Sequence, residues 1–287
     1  MKNTEITDPA FLEAVEAIDS GNISVLESLI RQHPRLVKER LKSAEEGYFK
    51  DPYLLWFVAD NPIRLEKLPV NIVDITSLLV DAVKKEAADT AQQQLDYALG
   101  LVATGRIPKE CGVQIRLMDL LIDAGATPGG GLGAIANGNI EAGGHLIKRG
   151  GELTLAAAVC LEWMDDVNRL LASAGKDEQL TALTAAAFYG KPKMISLLLG
   201  SGVDPNGYPK NSSGFHSHAT PLHQAVSSGS LESVKLLVEA GANLSAKDKL
   251  YDGTPMDWAG YMQRDESTDE AARKKYALIA EYLKEKE

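Results

Sequence analysis

Three histidines in the C-terminal half have the residue type and spacing that most suggest a chemical site. His216-Ser217-His218 precedes His223 by a few residues, and imidazoles so close in the chain can share a metal ion. Nearby carboxylates such as Asp252 and Asp257 could complete such a site. One hypothesis is therefore a metal-dependent enzyme or regulator that uses the His216/His218 loop.

Other catalytic signatures are missing from the sequence. It contains no His-Glu-x-x-His helix, no Gly-x-Ser-x-Gly turn and no Walker phosphate-binding loop. Two histidines in one loop are a weak zinc signature without further ligands. We therefore predict a protein that is not an enzyme and needs no cofactor, with the metal hypothesis as the alternative.

The elements that would hold these histidines are best read from the stretch 219–242. Thr220 is a favourable helix N-cap and Pro221 fits the first helical position. Apolar residues at helical spacing follow, and Gly229 ends the first short helix. A second apolar helix follows and stops at Gly241, in the left-handed conformation that glycine adopts most cheaply.

Looser copies of this helix pair occur along the chain. Each second helix has an aliphatic run and then a stop glycine: Gly125, Gly150, Gly175, Gly202 and Gly241. Thr181-Ala182-Leu183-Thr184 aligns with Thr220-Pro221-Leu222-His223, and Thr254-Pro255-Met256-Asp257 opens a further unit. One such pair buries too little surface to be stable alone, so copies must stack.

These motifs make the chain similar to the ankyrin repeat family, clearly from about Leu132 to the C-terminus and more divergently before it. The resemblance implies an all-α fold, an ankyrin-repeat solenoid of stacked antiparallel helix pairs with capping repeats at both ends. It also implies that His223 hydrogen-bonds a neighbouring turn. We predict one domain over residues 1–287 with approximate repeats 9–37, 50–84, 91–126, 131–151, 152–176, 180–206, 219–245 and 254–287.

The spacing of the stop glycines predicts fingers of unequal length. From Gly125 to Gly150 and on to Gly175 the spacing is 25 residues each time, and 27 to Gly202, below the family period of about 33. We therefore expect several truncated fingers in the middle of the chain. Residues 206–218 instead form an extended loop with exposed aromatics, which favours a functional role.

The resemblance implies a scaffold that binds a protein or peptide on the concave face of the solenoid. That face is formed by finger tips and by first-helix residues near the terminal glycine: Asp19, Ser20, Ala136, Asn137, Leu161, Glu162, Phe188, Tyr189, Ser227, Ser228, Tyr261 and Met262. Trp163 stands where that glycine is expected in the middle repeat. Large aromatic side chains at such places are typical of interface anchors. The candidate partner-binding residues are Phe188, Tyr189, Tyr208, Phe215, His216, His218, Tyr251, Tyr261 and Met262.

Two alternatives remain for the aromatic residues. Those of the C-terminal half could cover the ridge between repeats without binding anything. In the N-terminal half, Trp56 and Phe57 are expected to fill core space, because large aromatics are usually buried. The alternative is that the loop from Asn61 to Asn71 forms a second binding edge.

Composition restricts the partner and the compartment. A formal net charge of −10 argues against nucleic-acid binding and leaves room for a basic protein partner. No apolar run reaches the roughly 20 residues of a membrane helix, and the N-terminus lacks a signal peptide's apolar region. Cys111 and Cys160, both in apolar helical contexts, cannot build a disulfide framework. We expect a cytoplasmic monomer that does not bind membranes.

Overall fold

The part of the chain that the structure describes is helical. A computed structural model describes residues 5–42, 46–210, 214–264 and 269–286, and those ranges contain no β-strand. A 3₁₀ helix covers Leu54–Ala59. The α-helices are α1 (Pro9–Ser20), α2 (Ile23–Gln32), α3 (Arg35–Lys38), α4 (Ile72–Glu86), α5 (Ala88–Thr104), α6 (Arg106–Glu110), α7 (Gln114–Asp123), α8 (Leu132–Ala136), α9 (Ile140–Lys148), α10 (Leu155–Leu161), α11 (Met164–Leu171), α12 (Lys176–Phe188), α13 (Pro192–Gly200), α14 (Pro221–Ser227), α15 (Leu231–Glu239), α16 (Pro255–Arg264) and α17 (Glu270–Lys286).

The helices form two compact units, unit 1 (Met1–Glu152) and unit 2 (Leu153–Glu287). In unit 1, α1, the 3₁₀ helix, α5 and α8 contact one another in that order, and α2, α4, α7 and α9 form a second row. In unit 2, α10, α12, α14 and α16 form one row, and α13, α15 and α17 follow one another in the other. Each unit is therefore built from stacked helix pairs, as the sequence predicts.

Glycines end four of the second helices as the spacing predicts. Gly125, Gly150, Gly202 and Gly241 all have positive φ, at 116°, 107°, 86° and 89°. A residue with a Cβ would be strained in this conformation, so glycine marks the helix ends in the sequence. The stop signals of these four helices are confirmed.

Gly175 and Thr181 have roles different from the predicted ones. Gly175 has φ −71° and is the N-cap of α12, and its N–H donates to Glu178 Oε2 at 2.8 Å. Helix α12 therefore begins at Lys176, and Thr181 lies inside it with its hydroxyl bonded to Asp177 O. The alignment of Thr181 with Thr220 as a helix start was wrong, because Glu178 caps the earlier residues.

The linkers confirm the predicted contrast in finger length. Residues 172–175 alone separate α11 from α12, whereas residues 201–220 separate α13 from α14. Part of that longer loop, 211–213, lies outside the described residues, as do residues 265–268 before α17. The longer loop is the one whose aromatic residues were predicted to bind a partner.

Two smaller expectations are corrected. Cys111 is exposed just after α6, whereas Cys160 is buried, and burial raises the pKa of the Cys160 thiol to about 12. Glu162, and not Trp163, takes the left-handed position at the end of α10, with φ 56°.

Candidate partner-binding surface

Two loops of unit 2 carry many of the predicted site residues: the long finger (201–220) and the next finger (240–254). Polar side chains join them. Asn206 donates to Gly241 O at 3.1 Å and accepts from Asn243 N at 2.8 Å. Tyr208 Oη donates to Lys247 O at 2.6 Å. These bonds fix the described parts of the two loops relative to each other.

A buried carboxylate organises the tip of the next finger. Asp248 is 2% exposed, and its oxygens accept from the N–H groups of Leu250 at 2.9 Å, Tyr251 at 2.7 Å and Gly253 at 3.1 Å. The fourth donor is Trp258 Nε1 at 3.0 Å. Burial opposes ionisation, but these donors outweigh it and lower the pKa of Asp248 to about 2. The ionised carboxylate thus holds both the turn and the indole ring of α16.

His223 has the structural role that the family resemblance implies. Its side chain is fully buried, with Nδ1 2.8 Å from Thr220 Oγ1 and Nε2 3.0 Å from Gly253 O. A carbonyl oxygen can only accept, so Nε2 carries the proton and Nδ1 is the acceptor. Burial lowers the pKa of His223. Both ring nitrogens are engaged, so this histidine cannot join a metal site without breaking the turn.

The rings of six predicted site residues form a continuous series, which we call the aromatic ridge: Phe188, Tyr189, Phe215, His216, His218 and Tyr251. Phe188 lies 5.1 Å from Tyr189, 5.4 Å from Phe215 and 5.8 Å from His216, measured between ring centroids. The series continues from His216 to His218 at 5.4 Å and from His218 to Tyr251 at 6.3 Å. Residues from α12 and both fingers thus meet on one surface of unit 2.

A pocket of about 660 Å³ continues this surface. The described residues that line it are Ser227, Tyr251, Asp252, Gly253, Asp257, Trp258, Tyr261 and Met262. Tyr251 is 79% exposed and Tyr261 is 59% exposed. The pocket therefore places two exposed aromatic side chains beside an indole and a thioether.

Phe215 and Tyr208 depart from the prediction. Phe215 is only 5% exposed, because it packs its ring on Phe188 and serves as a support of the ridge. Tyr208 is half-buried and has no ring contact with the ridge among the described residues. Its ring lies 4.1 Å from Lys249 Nζ, and its hydroxyl joins the two fingers.

Trp258 and Asp248 are the residues that sequence reasoning did not assign to the surface. Trp258 is half-buried and lines the pocket. The spacing between Trp258 and Tyr261 could have indicated this position, since residues three apart lie on the same helix face. Asp248 offered no such signal, because its partners are set by the turn that follows it.

The His216/His218 loop does not assemble a metal site in the described residues. No group of three or more His, Cys, Asp or Glu residues there is placed to hold a metal ion. The two rings instead stack with an interplanar angle of 23°, and burial lowers the pKa of His216. Nothing in this geometry favours the metal-dependent alternative.

The alternative binding edge in unit 1, the 61–71 loop, is held by a buried ion cluster. Arg64 is 4% exposed at its side chain and contacts Asp19 at 2.8 Å and Asp60 at 3.7 Å. Asp60 also accepts from the backbone N–H groups of Leu65 and Glu66. Asp19, a predicted first-helix contact residue, is therefore engaged within the fold.

Trp56 and Phe57 themselves are core residues, as expected. Phe57 is almost fully buried, and Trp56 stacks on Tyr97 with centroids 4.1 Å apart and donates to Gln94 O. The aromatic patch of unit 1 therefore packs the interior. The exposed large apolar side chains of the 61–71 loop are Ile63, Leu65 and Val70.

Comparison with known proteins identifies the repeats. Residues 134–248 match the family model of ankyrin repeats (3 copies), so this segment consists of ankyrin repeats. The potassium channel GORK of Arabidopsis thaliana is 39% identical over 70 residues, which are 24% of this chain and 8% of that protein. The chain thus spans under a tenth of the length of that relative.

A solved structure, the crystal structure of the human ASB11 ankyrin repeat domain, aligns with 95% of this chain and 97% of its own, at 16% identity and a TM-score of 0.34. The assignment of residues 134–248 to the ankyrin repeats rests on the match to the family model. Ankyrin repeats indicate a protein-interaction scaffold. Their fold is typically non-enzymatic. Within the described residues, no helix is long and apolar enough to cross a membrane.

Proposed function

We propose that the chain is a non-enzymatic scaffold that binds a protein or peptide on the concave, finger-tip face of its C-terminal repeats. The supporting observation is the aromatic ridge together with the pocket beside it. Exposed Tyr251 and Tyr261 stand on rigid supports, one on the turn held by Asp248 and the other on α16. Tyrosines presented in this way supply large contact area at a low entropy cost.

The contact surface proposed for the partner consists of Phe188, Tyr189, His216, His218, Tyr251, Tyr261 and Met262. Phe215 and Tyr208 act from within, by packing and by joining the fingers. The acidic chain, with net charge −10, suits a basic partner. The cytoplasm is the compartment we propose for this interaction.

The test is affinity capture from the native cell with quantitative comparison of variants. Tyr189→Ala/Tyr261→Ala should lose the captured partner, because aromatic anchors carry a large share of interface free energy. Leu278→Ala is the matched control, since Leu278 is 52% exposed on α17 and lies outside the ridge and the pocket. Thermal melting of each variant separates lost binding from unfolding.

The possible outcomes discriminate between surfaces. A partner that is retained by the folded double variant contradicts the proposed surface and directs attention to the 61–71 loop. If Leu278→Ala loses the partner as completely as Tyr189→Ala/Tyr261→Ala does, the ridge does not bind that partner specifically. We also expect the purified chain to be a monomer, which light scattering would report as a mass near 30.9 kDa.

A further inference from the structure

The pocket of unit 2 combines aromatic walls with carboxylates. Among the described residues that line it, Tyr251, Trp258 and Tyr261 supply three aromatic side chains, and the two charged residues, Asp252 and Asp257, are both acidic. Aromatic faces attract cations through the ring quadrupole, and they do so most strongly when the cation is partly desolvated. Both features of the lining therefore favour a positive group.

Trp258 is prepared for such a contact by its hydrogen bond to Asp248. The indole N–H donates to a buried carboxylate at 3.0 Å, and a negative charge at the ring edge makes the ring more attractive to a cation. The same bond fixes the position of the ring, while His223 packs against it with centroids 5.0 Å apart. A fixed ring loses little conformational entropy on binding.

The two acidic residues that line the pocket differ in their partners. Asp252 is exposed and pairs with Lys247 Nζ at 2.6 Å. Asp257 accepts from Thr254 N at 2.9 Å and from Thr254 Oγ1 at 2.7 Å. These bonds, aided by Lys247 and Arg264, lower the pKa of Asp257 and so favour its ionised form. The only cation directly paired with either carboxylate among the described residues is thus Lys247, in an exposed ion pair.

We infer that this pocket takes an arginine or lysine side chain from a basic segment of the partner protein. The inference rests on the proposed function and adds the chemistry of the contact. The cation enters between Tyr251, Trp258 and Tyr261 and approaches Asp252, so it competes with Lys247 for that carboxylate. The volume of about 660 Å³ leaves room for the residues beside the cation in the partner.

This competition for Asp252 can be tested with two variants that should change the affinity for the basic segment in opposite directions. Asp252→Asn removes the charge and keeps the backbone, because Asp252 has φ 58° and asparagine tolerates this conformation. Lys247→Gln removes the resident cation and frees the carboxylate. Lys247 O, which accepts from Tyr208, is a backbone atom and stays in place.

The probe is a phage-displayed library of random short peptides selected on the purified full-length chain, with affinities then measured by fluorescence anisotropy. We expect the selected peptides to share an arginine or lysine, whose replacement by alanine weakens binding at least about fivefold. Asp252→Asn should weaken the same peptides by about threefold, and Lys247→Gln should tighten them by a similar factor. Tyr251→Ala/Tyr261→Ala should abolish measurable binding.

Failure of this inference can be told apart from failure of the proposed function. Peptides that require Tyr251 and Tyr261, but carry no shared basic residue or ignore both charge variants, would overturn the cation inference alone. Peptides that bind equally well to Tyr251→Ala/Tyr261→Ala, or a selection that yields no binder, would count against both. Thermal melting of every variant confirms that each one is folded.

Discussion

Asp248 illustrates how one carboxylate can support a surface that it does not itself present. Its two oxygens accept three backbone N–H groups and the Trp258 indole N–H. Charge-assisted bonds of this kind are about twice as strong as neutral ones. The exposed position of Tyr251 and the position of the Trp258 ring both depend on this buried residue.

Asp248→Asn should destabilise the protein by about 2 kcal/mol, because the new amide group would face N–H donors in a buried site. Chemical denaturation followed by circular dichroism measures the change. Asp252→Asn, in the same turn but exposed, is the control and should change the stability by less than about 0.5 kcal/mol. Equal effects of the two substitutions would contradict the assigned role.

The same residue predicts a direction for the pH dependence of stability. The pKa of Asp248 is about 2 in the folded chain, below the value of 3.8 for an unperturbed carboxyl. The unfolded state therefore binds the proton first as the pH falls. The stabilisation that ionised Asp248 gives to the folded state is present above about pH 4 and is lost as the pH falls toward 2. The slope of stability against pH in this window should be smaller in Asp248→Asn than in the wild type.

At the scale of elements, the caps of α12 and α14 show that similar sequences can occupy different helical positions. Thr220 caps α14, with its hydroxyl 2.8 Å from His223 Nδ1. Thr181, in a similar local sequence, lies inside α12 because Gly175 and Glu178 begin that helix earlier. The two threonines should therefore respond differently to removal of the hydroxyl.

Thr220→Ala should cost about 1 kcal/mol of unfolding free energy, because it removes the hydroxyl that hydrogen-bonds the buried His223 Nδ1. Thr181→Ala should be neutral or slightly stabilising, because alanine is the better residue inside a helix. Denaturant titrations of both variants provide the comparison. A loss at Thr181 as large as that at Thr220 would mean that α12 begins later than the structure shows.

The 61–71 loop depends on the ion cluster around Arg64. Arg64→Met should destabilise the chain by about 3 kcal/mol, because it leaves Asp19 and Asp60 buried without their cation. Arg106→Met is the control, since Arg106 is half exposed in its pairs with Glu66 and Glu110. That change should cost less than about 0.5 kcal/mol. Similar thermal melting curves for the two variants would refute the structural role of Arg64.

At the scale of the whole molecule, charge is the property that bears on association. The chain carries a formal net charge of −10, from 40 acidic and 30 basic residues. Such an excess attracts basic partners over a distance set by the ionic strength. Long-range attraction of this kind changes the association rate more than the dissociation rate.

Once a basic partner is identified, raising the salt concentration from about 0.05 M to 0.5 M should slow its association with this chain roughly tenfold or more. The dissociation rate should change little, since it depends on the buried aromatic contacts. Surface plasmon resonance over a salt series measures both rates. An association rate that is independent of salt would contradict steering by the acidic chain.

The sequence by itself determined the repeat architecture, because the signals for short helices are local. Pro221 and Pro255 begin helices, and Gly202 and Gly241 end them, through backbone preferences that hold in any surroundings. The same local signals located the long finger and named all six residues of the ridge. It misplaced the start of α12, where one cap competes with another a few residues away.

Only the tertiary structure decided which of those residues are exposed and which act as supports. Phe215 is buried because Phe188, on another element, covers it. Asp19 and Arg64 meet although 45 residues separate them in the chain. Trp258 belongs to the pocket because the turn around Asp248 brings a carboxylate to its indole N–H. No local sequence motif links the residues of these contacts. Their hydrogen bonds, ion pairs and burial therefore exist only in the folded chain.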